Sequence, residues 1–292
     1  MQKTNKFKEG LLTTIFVVLS VLVIIPLIIL ISTSVSSEKD IADFGYRLIP
    51  KSIDFTAYRY IMKNPTQILN AYKTTFIFSI SSMVLGLLLM SMVAYALARR
   101  DFKARRFVSF FLYFTTMFGG GLVPSYILIT QYLHLQDTIW VYIIPSLIAP
   151  FNIFMIRTNF QALPIELTES ALIDGAGEYT IFFKIIMPLS KPVLATVALF
   201  TFLGKWNDWM TSMLYINNRD DLISLQYLLQ RLMQNIELLK DENISSYTQT
   251  MDIPAETVRM AMAVVAAGPV LVVFPFFQKY FTRGMTVGSV KG

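Results

Sequence analysis

Residues 169–192, ESALIDGAGEYTIFFKIIMPLSKP, form a polar and then amphipathic stretch caught between two long apolar runs. Pro164, just upstream, suits the first turn of a helix, where a missing N–H costs nothing; Gly175 and Gly177 suit a stop that wants a left-handed residue. The spacing predicts a short helix over residues 164–174, a tight turn, and a second short helix over 179–187 that Pro188 ends. In that second helix Tyr179, Phe182, Phe183 and Ile186 fall at i, i+3, i+4 and i+7 and make one apolar face. Two short helices at a sharp angle form a knob that fits a groove in another protein. A plain helical hairpin packed under a bundle is the other way to read the same pattern.

What surrounds this knob is membrane-like. Of 292 residues, 54% are hydrophobic and 15% charged, against about 25% charged in soluble domains. Lys3, Lys6 and Lys8 precede an apolar run over 11–32. That is close to the length that crosses a bilayer and longer than the roughly 7–15 residues of a signal-peptide core, so it reads as an uncleaved first span. A mixed outer loop with a short surface helix follows over 38–69. The second span covers 70–98, and the third covers 107–130, interrupted by Gly119, Gly120, Gly121 and Pro124. Broken backbone at that depth lines a water-filled cavity or packs closely on protein, which makes Tyr126 a pore candidate. The fourth span covers 139–156 and is closed by Arg157, the fifth covers 192–215, and the sixth covers 253–277 with kinks expected at Pro269 and Pro275. No internal repeat or low-complexity tract breaks the pattern.

Charge supports this six-span layout. Arg99, Arg100, Lys103, Arg105 and Arg106 crowd one short loop, and such loops stay in the cytoplasm. With Lys3, Lys6, Lys8, Arg157, Lys184, Lys191, Lys279, Arg283 and Lys291 they place both termini and the 158–191 loop inside. The net charge of +6 therefore belongs to membrane topology and not to nucleic acid. With no cysteine and one histidine, His134, thiolate sites, disulfides and histidine clusters are excluded; His134 reads as surface. A phosphate-cradling GxxxxGK[ST] loop, HExxH and GxSxG are absent as well. No catalytic residue and no metal ligand is expected, and the chain does not hydrolyse ATP by itself.

One cluster in the fifth span invites a ligand: Lys205, Trp206, Asn207, Asp208 and Trp209. Ionisable residues inside a membrane are costly and face the bundle interior or a water path. A sugar offers apolar C–H faces for an aromatic ring and hydroxyls for amide and carboxylate groups. The competing reading is an interfacial aromatic belt with Lys205 snorkelling. Further on, Leu225, Leu228, Leu229, Leu232, Ile236 and Leu239 form an amphipathic stripe within 222–240. It packs over the outer mouth or on lipid, or it belongs to a docking surface. Glu256 and Arg259, at i, i+3, are expected to pair.

The 169–192 stretch resembles the cytoplasmic EAA loop of permease subunits in bacterial ABC importers. The residues that carry the likeness are Glu169-Ser170-Ala171, Gly175 and Ile185-Ile186-Met187-Pro188, with Ser170 and Met187 replacing the usual Ala and Leu. The tail FPFFQKYFTRGMTVGSVKG, residues 274–292, and the WN pair in the fifth span resemble the carbohydrate branch, including the maltose-type inner partner and the lipoprotein-cluster permeases of Gram-positive bacteria. The resemblance implies an all-α, multi-pass cell-membrane protein with six spans and a type I importer core over 73–281. A first span and outer loop over 1–72 precede that core, and a cytoplasmic tail over 282–292 follows it.

As function it implies ATP-driven import of a sugar or oligosaccharide, with ATP and Mg held by two separate ATPase subunits. It also implies a homologous permease as the other half of the pore and an extracellular solute-binding lipoprotein. On this chain the ATPase contact falls to Glu169, Ser170, Ala171, Asp174, Gly175, Ala176, Tyr179, Phe182 and Pro188, with residues 288–292 as a second contact. Trp206 and Asn207 fall to substrate, with Asp208 and Trp209 beside them. Asn217, Asn218, Arg219, Asp220 and Asp221 fall to the binding protein. An ion-gradient transporter and an ATP-driven permease for amino acids or metals are the alternatives.

Overall fold

The computed structural model describes residues 6–240 and 254–288, with side chains placed over 10–238 and 254–278. The described chain is helical, with one isolated antiparallel bridge between Ser36 and Ile53. Helices α1 (Lys6–Ser34), α2 (Glu38–Phe44), α3 (Thr56–Ile61) and α4 (Pro65–Ala98) open the chain. α1 and α4 are each long and apolar enough to cross a membrane alone, and so is the Ala255–Gln278 part of the last helix. Three bent pairs bring the total to as many as six spans.

The bends depart from the straight layout. The expected third span is split into α5 (Arg105–Met117) and α6 (Leu122–Tyr132), which meet at 115°. Three successive glycines withdraw helix propensity at that point, and Gly121 takes a φ of 85° that side chains disfavour. At 13 residues, α5 is only about 20 Å long and does not cross a hydrocarbon core of about 30 Å. The expected fourth span divides into α7 (Trp140–Ser146) and α8 (Pro150–Gln161), bent by 47°, with Pro150 in the first turn of α8. By contrast, the helix over Ala255–Gly288 continues through Pro269 and Pro275 without a break. Residues 289–292 of the expected tail contact, and Lys3 and Lys291 of the charge tally, lie outside the described residues.

The structure divides into two compact units. The first comprises Met1–Pro65 and Leu229–Pro269. Within it α1 exposes Leu11, Phe16, Leu22 and Val23 on every side, as a helix bathed in lipid does. The first N–H groups of the helix that begins at Ala255 have no acceptor within the helix, and Glu38 supplies one from 218 residues away: its carboxylate takes the N–H of Glu256 at 2.9 Å and the N–H and hydroxyl of Thr257 at 3.0 Å. An anion at a helix N-terminus also meets the positive end of the helix dipole. Glu38→Ala is expected to cost about 1–2 kcal/mol, read as a lower thermal midpoint of the purified chain; an unchanged midpoint would remove the cap from the account. Arg259 pairs with Glu256 at 3.5 Å, as the spacing predicts, and also with Glu237 at 3.4 Å.

The second unit comprises Thr66–Leu228 and Val270–Gly292. Its core joins Met90, Ala94 and Leu97 of α4, Leu112 of α5, Ile153, Ile156 and Phe160 of α8, and Leu194 and Val197 of the helix Lys191–Trp206. Ala171, Ile181, Phe182 and Ile186 of the 169–192 stretch belong to the same cluster. At roughly 1.5–3 kcal/mol for each large apolar side chain buried, these residues fix the stretch to the bundle. Towards its other end α4 meets α7 closely: a Cβ on Gly86 would lie 3.6 Å from the carbonyl oxygen of Leu147, and Phe78 stacks on Tyr142 at 4.2 Å.

Candidate functional site

The 169–192 stretch folds as α9 (Glu166–Ile173) and α10 (Glu178–Leu189). α9 starts two residues after Pro164, with Ile165 as its N-cap. It ends in a Schellman turn: Gly175 has a φ of 80°, its N–H bonds to the Leu172 carbonyl at 3.0 Å, and the Ala176 N–H bonds to the Ala171 carbonyl at 2.9 Å. Gly177 does not share the left-handed role. It is an extended N-cap with φ −75°.

The apolar face of α10 also differs from the spacing. Ile181, Phe182 and Ile186 are buried, while Tyr179 and Phe183 are exposed. A π turn over Phe182–Ile186 adds a residue to the local repeat and rotates the face. Pro188 does not stop the helix, which runs to Leu189 and breaks at Ser190 with an 82° bend into α11 (Lys191–Trp206). The stretch is thus two-sided. Ala171 and Phe182 are buried and Ala176 half-buried, whereas Glu169, Ser170, Asp174, Gly175 and Pro188 are exposed. Between the two helices Ile173 is 86% and Tyr179 74% exposed, large apolar groups held out on a braced turn.

A polar tie that the sequence reading missed fixes this turn to α4. Tyr95 donates to the Glu178 carboxylate at 2.6 Å, and Arg99 pairs with the same carboxylate at 2.9 Å and with Asp101 at 3.0 Å. Its only sequence signal was an acid in the first turn of a short helix. A cavity of about 560 Å³ opens beside it, lined by Arg99, Arg105, Gln161, Glu166 and Glu169 among others.

The Lys205–Trp209 cluster lies where α11 breaks before α12 (Met210–Tyr215). Asn207 and Asp208 interrupt the helix because their side chains compete for backbone groups. The Asn207 amide donates back to the Leu203 carbonyl at 2.9 Å, and Asp208 accepts from the Thr211 N–H at 3.0 Å and hydroxyl at 2.8 Å. Lys205 and Asp208 pair at 3.0 Å with side chains only 17% and 13% exposed. Both line a cleft of about 470 Å³ with Ser125, Ser146, Thr211 and Tyr215.

Trp206 stands apart from the expected sugar face. It is 1% exposed, stacked on Phe202 at 5.8 Å and tilted against Tyr72 at 6.4 Å, so in this conformation both faces are covered. Asn207 is exposed and accepts from Gln226 at 3.3 Å, and Trp209 is partly exposed. Tyr126, half-buried, stacks on the cleft residue Tyr215 at 5.6 Å.

Asn217, Asn218, Arg219, Asp220 and Asp221 are all exposed, on a loop with a defined shape. Asp137, at φ 54°, accepts the N–H groups of Asn217 at 2.7 Å and Asn218 at 3.0 Å and the Asn218 amide at 3.1 Å. Partial burial opposes its charge, but the N–H donors of Asn218 and Asn217 outweigh it and hold the carboxyl below the usual carboxylate range. A lowered folded pKa means that the clasp contributes its stability above the ordinary carboxylate pKa and loses it as pH falls through the folded value. Arg219 and Asp221 form a forked pair at 2.8 and 2.7 Å. From the inner side of this loop Tyr142 donates to the Leu222 carbonyl, and the Leu225 N–H donates to Thr75.

Comparison with known proteins agrees with this architecture. The family described as binding-protein-dependent transport system inner membrane component matches residues 74–287. The chain is 38% identical over 271 residues to protein LplC of Bacillus subtilis (strain 168), covering 92% of this chain and 90% of that one. To the polygalacturonan/rhamnogalacturonan transport system permease protein YtcP of the same organism it is 34% identical over 99% of each chain. Among solved structures it is similar to a chain in the crystal structure of a bacterial ABC transporter involved in the import of the acidic polysaccharide alginate. The TM-score is 0.79 at 27% identity, over 96% of this chain and 99% of that chain. On this match in sequence and fold, the chain belongs to the family of integral inner-membrane permease components of binding-protein-dependent ABC transport systems.

Proposed function

We propose that this permease carries a saccharide inward, that its α9–α10 turn is where a separate ATPase subunit pushes, and that the turn and both termini face the cytoplasm. The observation that carries the reading is the two-sidedness of the turn. One side is sunk in the core through Ala171, Ile181, Phe182 and Ile186, and the other holds out Ile173 and Tyr179. A load applied to the exposed side passes into α4, α8 and α11 without first deforming a loop, because packed cores switch between arrangements instead of bending continuously. The saccharide cargo is supported by what the relatives carry by name: they include an arabinooligosaccharides transport system permease protein, AraQ, 32% identical over the full chain.

In this reading a homologous permease completes the pore, two ATPase subunits hold ATP and Mg, and a solute-binding lipoprotein docks outside against Asn217, Asn218, Arg219, Asp220 and Asp221. The 470 Å³ cleft with Lys205 and Asp208 is one wall of the sugar path, and Trp206 supports that wall from behind.

The chain has no cysteine, which makes a direct test clean. In the assembled importer, Ile173→Cys and Tyr179→Cys are expected to crosslink to the ATPase and to escape an impermeant maleimide added outside intact cells. Ile49→Cys, on the expected outer loop and 78% exposed, is expected to be labelled from outside and to give no crosslink. External labelling of Ile173→Cys would sink the orientation and the coupling role together. Uptake stopped by ionophores and indifferent to ATP depletion would favour the ion-gradient alternative.

A further inference from the structure

We propose that α5 and α8 hold between them a binding site for the headgroup of an anionic phospholipid, built from Arg105, Ser109 and Arg157. α5 packs on α8 within one unit. Arg105 and Ser109 are four residues apart in α5 and share a face. Arg157 of α8 reaches that face and donates to the Ser109 hydroxyl at 3.0 Å.

Two features of the arrangement call for an anion. Arg157 Nε is buried with no hydrogen-bond partner, and neither Arg157 nor Arg105 has a carboxylate within ion-pair distance among the described residues, whereas neighbouring Arg99 takes both Asp101 and Glu178. Burial already disfavours the charge on Arg157, and the charge that bears on it from α5 is that of Arg105, of the same sign. Like charges repel, and the buried Arg157 Nε has lost water that nothing in the described residues replaces. A phosphodiester offers acceptor oxygens in the forked geometry that arginine matches, and it cancels the repulsion.

The surroundings favour a lipid as the source of that phosphate. Arg105 begins α5, and Phe107, Phe110, Phe111 and Phe114 stand exposed on the opposite face of that helix, so the charged end of α5 sits at the rim of a helix whose outer side is apolar. Arg105, unlike Ser109 and Arg157, also lines the 560 Å³ cavity, so that arginine is reached from open space. Arg100, Lys103 and Arg106, which form no salt bridge among the described residues, supply the wider field that draws anionic lipid to a membrane surface.

The test is native mass spectrometry of the purified full-length chain titrated with phosphatidylglycerol or phosphatidylcholine. Thermal midpoints are taken in parallel, with and without lipid. Wild type is expected to retain one phosphatidylglycerol in preference to phosphatidylcholine and to gain stability from it. Arg157→Gln is expected to weaken that adduct by roughly tenfold or more, as loss of a hydrogen bond to a charged group does; Arg106→Gln, which contributes only to the wider field, is expected to weaken it by about fivefold at most.

If Arg157→Gln fails to fold, Arg105→Gln reads the same site with Arg157 kept. Equal retention of the two lipids, or an adduct indifferent to both arginine variants, overturns the proposal. Displacement of the adduct by millimolar inorganic phosphate overturns it in favour of a soluble anion. Exclusion of the lipid in the assembled importer, with Arg157 protected there from a guanidine-modifying reagent in lipid-free detergent, overturns it in favour of a protein partner.

Discussion

Gly175→Asp is expected to leave the chain inserted in the membrane and to reduce uptake to background. In the free chain a Cβ on Gly175 would meet nothing within 4 Å, so the substitution does not disturb the packing of the turn. The φ of 80° adds strain, but aspartate tolerates the left-handed region better than most residues. What changes is the surface between Ile173 and Tyr179. In the proposed ATPase contact, a carboxylate at this point would be desolvated without a partner and would hold the opposing backbone away. Central interface positions of this kind cost about 2 kcal/mol or more when spoiled, roughly thirtyfold in affinity. Gly175→Asn keeps the left-handed tolerance and omits the charge, so it is expected to fall between the wild type and Gly175→Asp. The measurements are ATPase co-purification and uptake in the same cells. Full co-purification and full uptake by Gly175→Asp would remove this residue from the contact.

Asp208→Leu is the second large effect. It strands Lys205 in a cleft where its side chain is 17% exposed, and removing one partner of a buried pair costs about 3–5 kcal/mol because the remaining charge stays uncompensated. The same change removes the acceptor for the Thr211 N–H and hydroxyl at the break between α11 and α12. A large fall in thermal midpoint is therefore expected. Adding Lys205→Met to Asp208→Leu removes the stranded charge and is expected to restore part of that loss. Uptake separates structure from transport: a double variant that regains stability without regaining uptake places the pair on the solute path. One that regains both assigns the pair to holding the helix break, and a single variant as stable as wild type would mean that the cleft is wetter than the burial of its side chains indicates.

Much of this was legible in the chain because membrane insertion writes itself into composition and charge. Long apolar runs read as spans without any tertiary information, and Gly175 read as a left-handed stop because glycine takes that backbone at least cost. The site was less legible for reasons that differ from residue to residue. Trp206 and Asn207 are neighbours in sequence, yet one is sealed by Phe202 and Tyr72 and the other is exposed; which face of α11 meets the core depends on elements far away in the chain. The face of α10 could not be counted from i, i+3, i+4 spacing, because a π turn shifts the register in the middle of the count. The Glu178–Tyr95–Arg99 tie and the Glu38 cap join residues 83 and 218 positions apart, and no local pattern announces such pairs.

The sequence by itself determined the solvent of this protein, the number of apolar runs and the position of the turn between the fourth and fifth of them. These follow from local rules: water expels apolar runs, bilayer thickness sets their length, and glycine alone takes a left-handed backbone at little cost. The tertiary structure decided which side chains of the turn are anchored and which are offered, that the third apolar run folds back by 115°, and that Lys205 and Asp208 neutralise each other in a cleft. These depend on packing between distant segments, where the energy of burying one face is fixed only once its neighbour is in place.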